Sequence, residues 1–157
     1  LFNIYTSFRY ERGLGDRAIP GDLLLDADRR IVPTTDALDT HVLRERELLL
    51  TGPMVGGRAP RPEAGSASGE FETDILSRCG VRESHFGLWS SCLSGTRRPI
   101  RLAFAMTAVE PAANPGPEET DDKASFVLQF MLPTGAYATS LLREVMGGVL
   151  DEASVAG

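Results

Sequence analysis

Near the end of the sequence, a strand pattern, a proline and a helix pattern follow one another in the stretch FVLQFMLPTGAYATSLLRE. Phe126–Leu132 has the apolar composition of a strand, and Pro133 ends it because proline cannot donate a hydrogen bond to a neighbouring strand. We predict that Thr134 caps a helix over residues 135–147. The apolar face of this helix consists of Leu141, Leu142, Val145 and Met146. Because such a face must be buried, the stretch predicts a sheet with a helix packed on it.

The first turn of this predicted helix carries little side-chain bulk. Gly135, Ala136 and Ala138 leave the backbone N–H groups and the positive end of the helix dipole open to an anion. Tyr137 is the one large side chain in the turn, and an aromatic ring beside such amides can stack on a base next to its phosphate. Plain packing of a helix on a sheet also explains the segment, so both interpretations stay open.

The rest of the chain mixes helix and strand patterns without regular alternation. The sequence predicts helices at 1–12, 34–47 and 70–80, and a short helix or turn at 85–93. It predicts a pair of strands within 20–34 and single strands at 48–53, 97–110 and 123–132. Thr35 or Asp36 is expected to cap the second helix, and 56–69 is expected to form a flexible loop. This order of elements favours the α+β class, with mixed short strands and helices.

Arginine is the dominant cation of an acidic chain. Of the 16 Lys and Arg residues, all but Lys123 are Arg, and the formal net charge is −6. This charge disfavours a protein that coats nucleic acid over its whole surface, but it is compatible with a local basic patch. Arg97, Arg98 and Arg101 form the densest basic cluster, which is either a solvated strand start or an edge that contacts phosphate.

Cysteine and histidine spacing argues against a metal site. Cys79 and Cys92 lack the paired spacing of zinc ligands, and two reduced thiols indicate the cytoplasm or an organelle matrix. No Gly-rich phosphate loop or Gly-x-Ser-x-Gly motif occurs, and His85 has serines only as sequence neighbours. The sequence therefore predicts no metal site. It also predicts no membrane partner, because no apolar run approaches the length of about 20 residues that spans a bilayer.

The stretch FVLQFMLPTGAYATSLLREVM resembles the C-terminal signature of the TruD family of pseudouridine synthases. In that family an apolar strand is followed by Leu-Pro, one further residue, Gly-Ser, Phe or Tyr, Ala-Thr and Leu-Arg-Glu. This chain has Ala136 at the position where the family has Ser. Five other segments resemble family segments in the same order: LFN, PGDLLLDADRRI, LLTGPMVGG, SGEFETDIL and LSGTRRPIRL.

The resemblance implies a partial pseudouridine-synthase fold. Residues 1–110 would form the TruD-type inserted domain with its entry helix, 111–122 an acidic loop, and 123–157 the closing strand and helix of the catalytic domain. The inserted domain would form one wall of an RNA-binding cleft. The residues that the resemblance assigns to the base pocket and to RNA contacts are Gly135, Tyr137, Thr139, Arg97 and Arg98. The family's catalytic Asp lies in a Gly-x-Lys-Asp segment that this sequence lacks, so no catalytic residue is assigned here.

By resemblance, the parent reaction converts uridine in structured RNA, tRNA above all, to pseudouridine without a cofactor. The catalytic Asp would come from a missing catalytic half, or the chain would work with another protein partner. One alternative is a degenerate, non-catalytic relative that binds RNA or supports a ribonucleoprotein. A second alternative is an unrelated α+β domain. The start at Leu1 without a Met, directly in an apparent helix, predicts a processed chain, an excised domain or a fragment.

Overall fold

The computed structural model describes residues 1–54, 56–82, 84–85, 94–102, 104–111, 126–133 and 136–146. These residues belong to two compact units, which are described separately. Unit 1 is Leu1–Arg101, and unit 2 is Leu102–Gly157. Among the described residues, no helix combines the length and the apolar character that crossing a membrane requires.

Unit 1 consists of a four-stranded antiparallel sheet and three helices. Its helices are α1 (Phe2–Glu11), α2 (Thr40–Glu45) and α3 (Ala67–Arg78). Its strands are β1 (Leu23–Leu25), β2 (Ile31–Pro33), β3 (Leu49–Met54) and β4 (Thr96–Pro99), in the sheet order β2-β1-β3-β4. The mixture of helices and antiparallel strands confirms the predicted α+β class.

The predicted strand pair around an Asp-rich turn is confirmed. β1 and β2 pair antiparallel with Leu24 opposite Val32, and β1 is buried along its whole length between β2 and β3. Asp26 closes the turn, because its Oδ1 accepts a hydrogen bond of 2.7 Å from the backbone N–H of Arg30. The turn residue Arg29 has a φ of 62°, a left-handed conformation that glycine adopts more easily.

Two apolar clusters form the core of unit 1. The first contains Ala18, Leu24, Leu43 and Leu50. The second contains Tyr5, Phe71 and Ile75, where α1 meets α3, and the Tyr5 and Phe71 rings pack edge to face at 5.5 Å. Ile100 packs against both clusters, so the residue that follows β4 joins the two halves of the core.

The predicted start of α2 is wrong. Neither Thr35 nor Asp36 caps this helix. Asp39 is the N-cap, and its side chain accepts a hydrogen bond of 2.9 Å from Val42 N–H. Leu38 forms an antiparallel bridge with Ala18, so the backbone is extended up to this point and the helix begins only after it.

Two further boundaries in unit 1 differ from the sequence prediction. β3 does not stop at Gly52-Pro53 but continues to Met54. β1 pairs with β3 only through Leu49 and Leu50, so Pro53 has a single neighbouring strand and its missing N–H is tolerated. α3 begins at Ala67, inside the predicted loop, because the Ser66 side chain caps it by accepting from Gly69 N–H at 3.1 Å.

Unit 2 contains a two-stranded hairpin and one helix. β5 (Ala105–Pro111) pairs antiparallel with β6 (Phe126–Met131), and the register shifts between Met106 and Ala108. The predicted single strand at 97–110 is wrong: it is divided into β4 in unit 1 and β5 in unit 2. The unit boundary after Arg101 therefore precedes the domain limit predicted at residue 110, while the correspondence of these ranges to family domains stays a prediction.

The helix of unit 2, α4 (Ala138–Val145), begins later than predicted. Tyr137 is its N-cap, without a hydrogen bond from a side chain, so the predicted helix start at residue 135 is wrong. Thr134, the predicted cap, lies outside the described residues, as do residues 112–125, which include all of the predicted acidic loop except Pro111, and residues 86–93, which include Cys92.

Candidate functional site

Arg97 is a buried structural residue rather than a surface cation. Its side chain is fully buried, and Nη2 lies 2.6 Å from Glu72 Oε1 on α3. Nε donates to Thr51 Oγ1 at 3.0 Å, and Nη2 also donates to the Thr51 carbonyl at 3.1 Å. The prediction that Arg97 contacts RNA is therefore contradicted, because its guanidinium is engaged inside unit 1 and shielded from solvent.

Arg98 and Arg101 lie on the surface of the same unit. The Arg98 side chain is half-buried, with its guanidinium carbon 5.1 Å from the centre of the Phe2 ring on α1. Arg101 is exposed. Unlike Arg97, Arg98 is not enclosed in the interior of unit 1, so it stays a candidate RNA contact.

A close glycine contact fixes the approach to β4. A Cβ atom on Gly56 would lie 2.0 Å from the backbone nitrogen of Gly95, so no other residue fits without moving the chain. Arg58 N–H donates to the Ser94 carbonyl at 2.7 Å beside this contact. Two of the segments that resemble the family, LLTGPMVGG and LSGTRRPIRL, are thus neighbours in the fold, both here and through the β3–β4 pairing.

A second buried arginine was not predicted as part of any site. Arg9 is fully buried and forms a bidentate ion pair with Asp22 at 2.8 and 2.9 Å. Its remaining donors reach Tyr5 Oη at 3.0 Å and the backbone carbonyls of Leu14 and Arg17. The available signal was its position four residues after Tyr5, because residues four apart lie on the same face of a helix and Tyr5 is buried.

Two further donors converge on the Asp22 carboxylate. Ser68 Oγ at the start of α3 donates to Asp22 Oδ1 at 2.6 Å, and Ile19 N–H donates to Oδ2 at 2.9 Å. The ion pair therefore links α1, the lead-in to β1 and α3. Its hydrogen bonds satisfy both carboxylate oxygens, which is the condition for burying a charge of this kind.

Burial also affects the acidic groups of this interior. Burial raises the pKa of Glu72 above its ordinary value, and the opposing influence of Arg97 is smaller. Burial likewise raises the pKa of Tyr5, although nearby Arg9 acts against it. Both groups lie inside unit 1, so these shifts follow from packing and do not by themselves indicate a catalytic role.

Histidine chemistry finds no support in the described residues. His85 Nδ1 accepts a hydrogen bond of 3.2 Å from Arg82 N–H, and Ser90 and Ser91 lie outside the described residues. Within those residues, no group of three or more His, Cys, Asp or Glu side chains has an arrangement that could hold a metal ion.

Tyr137 stands at the N-terminal edge of α4 with 63% of its surface exposed. Its carbonyl accepts hydrogen bonds from Ser140 and Leu141 N–H, so the backbone is fixed by the first turn while the ring faces solvent. Thr139 is exposed in the same turn, and Gly135 lies outside the described residues. The structure thus places Tyr137 and Thr139 on one short helix start in unit 2.

Comparison with known proteins decides the family. A family model described as tRNA pseudouridine synthase D (TruD) matches residues 1–145. The chain belongs to the TruD family. Its TruD relative from Thermus thermophilus, named tRNA pseudouridine synthase D, is 37% identical over 150 residues. A TruD relative of the same name from Geobacter sulfurreducens is 35% identical over 134 residues.

A solved TruD structure also resembles this chain, and the chain covers only part of the length of its TruD relatives. The chain resembles a crystal structure described as tRNA pseudouridine synthase D (TruD) from Methanosarcina mazei, with a TM-score of 0.67 and 26% identity over 93% of this chain. The chain spans 35% of that solved protein, 37% of the Thermus relative and 30% of the Geobacter relative.

The segments that resemble TruD proteins supply most of the buried polar residues of unit 1, although Arg9 lies outside them. Asp22, Thr51, Ser68 and Arg97 come from four different segments. Each is buried, and each takes part in one of the two arginine networks. In this TruD-family chain these segments therefore specify the fold of unit 1, and Tyr137 and Arg98 remain the exposed or half-exposed candidates for RNA contact.

Proposed function

We propose that this chain is a portion of a TruD-type pseudouridine synthase that isomerises uridine to pseudouridine in structured RNA, with tRNA as the substrate. Unit 1 supplies RNA recognition, and Tyr137 supplies one wall of the pocket for the target base. The catalytic Asp comes from a part of the enzyme that this sequence does not contain. The observation that carries the proposal is the TruD match over residues 1–145. The cytoplasm or an organelle matrix is the proposed location.

The proposed reaction is an isomerisation, so the site must hold the detached base and needs no added reagent. The N1–C1′ bond of uridine is broken, a C5–C1′ bond is formed, the proton on C5 is lost and N1 gains one. No atom or electron enters from a cofactor, and we propose none. Tyr137 can stack on the detached uracil, and Thr139 and Gly135 would border the same pocket. Arg98 would contact phosphate from unit 1.

The strands of unit 2 expose large apolar side chains, which supports the proposal that further protein covers them. Val109 and Val127 are 54% and 56% exposed, and Phe126 and Met131 are 60% and 67% exposed. An isolated two-stranded hairpin is at best marginally stable in water, and apolar side chains exposed in this number indicate a contact surface. We propose that the remainder of a catalytic domain covers this surface and contributes the nucleophile.

One experiment separates recognition from catalysis. The chain is mixed with tRNA carrying tritium at C5 of uridine, and both binding and tritium release are measured. We expect tRNA binding that weakens with salt and no tritium release, because the chain has no nucleophile of its own. Tritium release by the chain alone would contradict the proposed division of labour. Absence of tRNA binding at low salt would contradict RNA recognition.

A degenerate, non-catalytic RNA-binding role is the second candidate. Ala136 in place of the family's Ser removes one hydroxyl beside Tyr137, which favours this alternative. The test is to add the Gly-x-Lys-Asp portion of a TruD relative as a separate chain. Restored tritium release would favour the enzyme portion. Binding of tRNA without any restored release would favour the non-catalytic role.

A further inference from the structure

A cavity in unit 1 lies between the β1–β2 turn and the corner that joins α2 to β3. Its volume is about 380 Å³. Four leucines line it: Leu25, Leu43, Leu48 and Leu49. The charged side chains of Asp26, Arg29, Arg44 and Glu47 also line it. The cavity therefore combines an apolar lining with charges of both signs.

Two of these charged residues occupy backbone positions that suit glycine. Arg29 and Glu47 have φ values of 62° and 52°, and among the described residues they are the non-glycine residues with positive φ. Arg29 lies in the β1–β2 turn, where its N–H donates to the Asp26 carbonyl, and Glu47 follows the end of α2, where its N–H donates to the Arg44 carbonyl. A glycine would adopt either conformation more readily. That both strained residues line the same cavity suggests that their side chains have a use there.

Among the described residues, the charged side chains of Arg29, Arg44 and Glu47 do not pair with one another. Within the described part of the chain, no ion pair engages Arg29, Arg44 or Glu47, and all three are exposed. The adjacent Arg30 differs, because it pairs with Asp28 at 3.3 Å and does not line the cavity. Two guanidinium groups and the Glu47 carboxylate are thus available to a ligand at this position, whereas the Asp26 carboxylate accepts the hydrogen bond from Arg30 N–H that holds the turn.

We propose that this cavity binds one unpaired nucleotide of the RNA, other than the target uridine. The leucines would contact the face of the base, the Arg29 and Arg44 guanidiniums would bind its phosphate, and Glu47 would accept a hydrogen bond from an N–H or a ribose hydroxyl. A nucleotide is the ligand class that presents a flat ring, an anion and such donors together. The inference rests on the proposed RNA-binding function, and it adds a second contact within unit 1.

The test is a methyl NMR titration of the whole chain with uridine and adenosine 5′-monophosphates, followed by tRNA binding. Inorganic phosphate and the free nucleosides are the reference ligands. We expect the methyl signals of the four leucines to shift with a nucleotide more than with phosphate alone. Arg29→Gly should weaken nucleotide and tRNA binding about tenfold, the effect of losing one charge-assisted hydrogen bond.

The matched control is Arg30→Gly, the same substitution one residue away. Arg29→Gly should raise the urea midpoint, because it relieves a left-handed conformation, so weaker binding cannot be attributed to unfolding. Arg30→Gly should lower the midpoint slightly and leave binding unchanged. Glu47→Gly provides a second variant, with a raised midpoint and weakened nucleotide binding.

The outcomes separate the cavity from the proposed function. Unchanged nucleotide and tRNA affinity in a stabilised Arg29→Gly chain would overturn the cavity and leave RNA recognition intact. Equal methyl shifts with inorganic phosphate would also overturn it, because the base would then contribute nothing. Leucine shifts with nucleotides in a chain that does not bind tRNA would support the cavity and reject the RNA-binding function.

Discussion

In unit 1, the large polar side chains Arg9 and Arg97 are buried and paired, whereas in unit 2 the large apolar side chains Val127 and Met131 are 56% and 67% exposed. Unit 1 contains a core that its own helices and sheet complete. Unit 2 presents a hairpin whose strands are largely exposed. The difference indicates that unit 1 can hold its shape through its own contacts, while the exposed apolar side chains of unit 2 fit the covering by further protein that we propose.

The largest expected effect concerns Arg9. Arg9→Met leaves the Asp22 carboxylate buried without its cation, so we expect the free energy of unfolding to fall by about 3–5 kcal/mol. The counterpart in unit 2, Arg143→Met on exposed α4, should change it by less than about 0.5 kcal/mol. Urea unfolding followed by circular dichroism measures both. Equal losses of stability in the two variants would show that the two units do not differ in the way described.

Truncating one strand residue in each unit tests how much the strands of the two units contribute to stability. Leu24→Ala in β1 should cost about 2–5 kcal/mol, because Leu24 is 1% exposed and a cavity would remain. Val127→Ala in β6 should cost less than about 0.5 kcal/mol in this chain. Hydrogen exchange of β1 and β6 amides would report each unit separately. A large loss for Val127→Ala would mean that β6 is covered in solution, for instance by a second copy.

The third prediction concerns pH and Glu72. Because burial raises the pKa of Glu72 above 4.5, the folded chain binds this proton more readily than the unfolded chain. The contribution of Glu72 to stability is therefore greatest below its unfolded pKa and declines as pH rises through its folded pKa. The stability difference between the unmodified chain and Glu72→Gln, measured across pH, should fall accordingly. A difference that grows with pH would mean that the attraction of Arg97 outweighs burial.

The smallest expected effect compares two helix starts. Asp39 caps α2 in unit 1, and Asp39→Ala should lower stability by about 1 kcal/mol. Tyr137 occupies the same position in α4 without a side-chain cap, so Tyr137→Asn should stabilise that helix by up to about 1 kcal/mol. The same change should weaken tRNA binding, whereas Tyr137→Phe should retain it. Stronger tRNA binding by Tyr137→Asn would contradict the proposal that the Tyr137 ring forms one wall of the base pocket.

Local patterns predicted the elements whose causes are local. The helix α1 and the strand pair β1–β2 depend on residues a few positions apart, and both were predicted. The start of α2 depends on the bridge between Leu38 and Ala18, 20 positions apart in sequence. A sequence that offers several capping residues cannot reveal which of them the tertiary structure selects.

The roles of the arginines were the hardest to predict for the same reason. Arg97 and Arg98 are adjacent and looked equivalent, but strand geometry directs them to opposite faces of β4. The partners of Arg97, Thr51 and Glu72, are 46 and 25 positions away. Charge alone predicted exposure, and only the fold shows that one arginine of the pair is interior. The cavity lined by Arg29 and Glu47 carried no sequence signal at all.

The ion pair between Arg9 and Asp22 also determines which residues must stay together if unit 1 is transferred to another protein. A graft into another scaffold that kept the sheet and α3 but replaced α1 would leave the Asp22 carboxylate without its cation, and the carbonyls of Leu14 and Arg17 without their Arg9 donor. The portable piece therefore includes α1, although α1 precedes the sheet and looks like a linker helix. Chimeras between TruD relatives should be joined upstream of Phe2 rather than after Arg12.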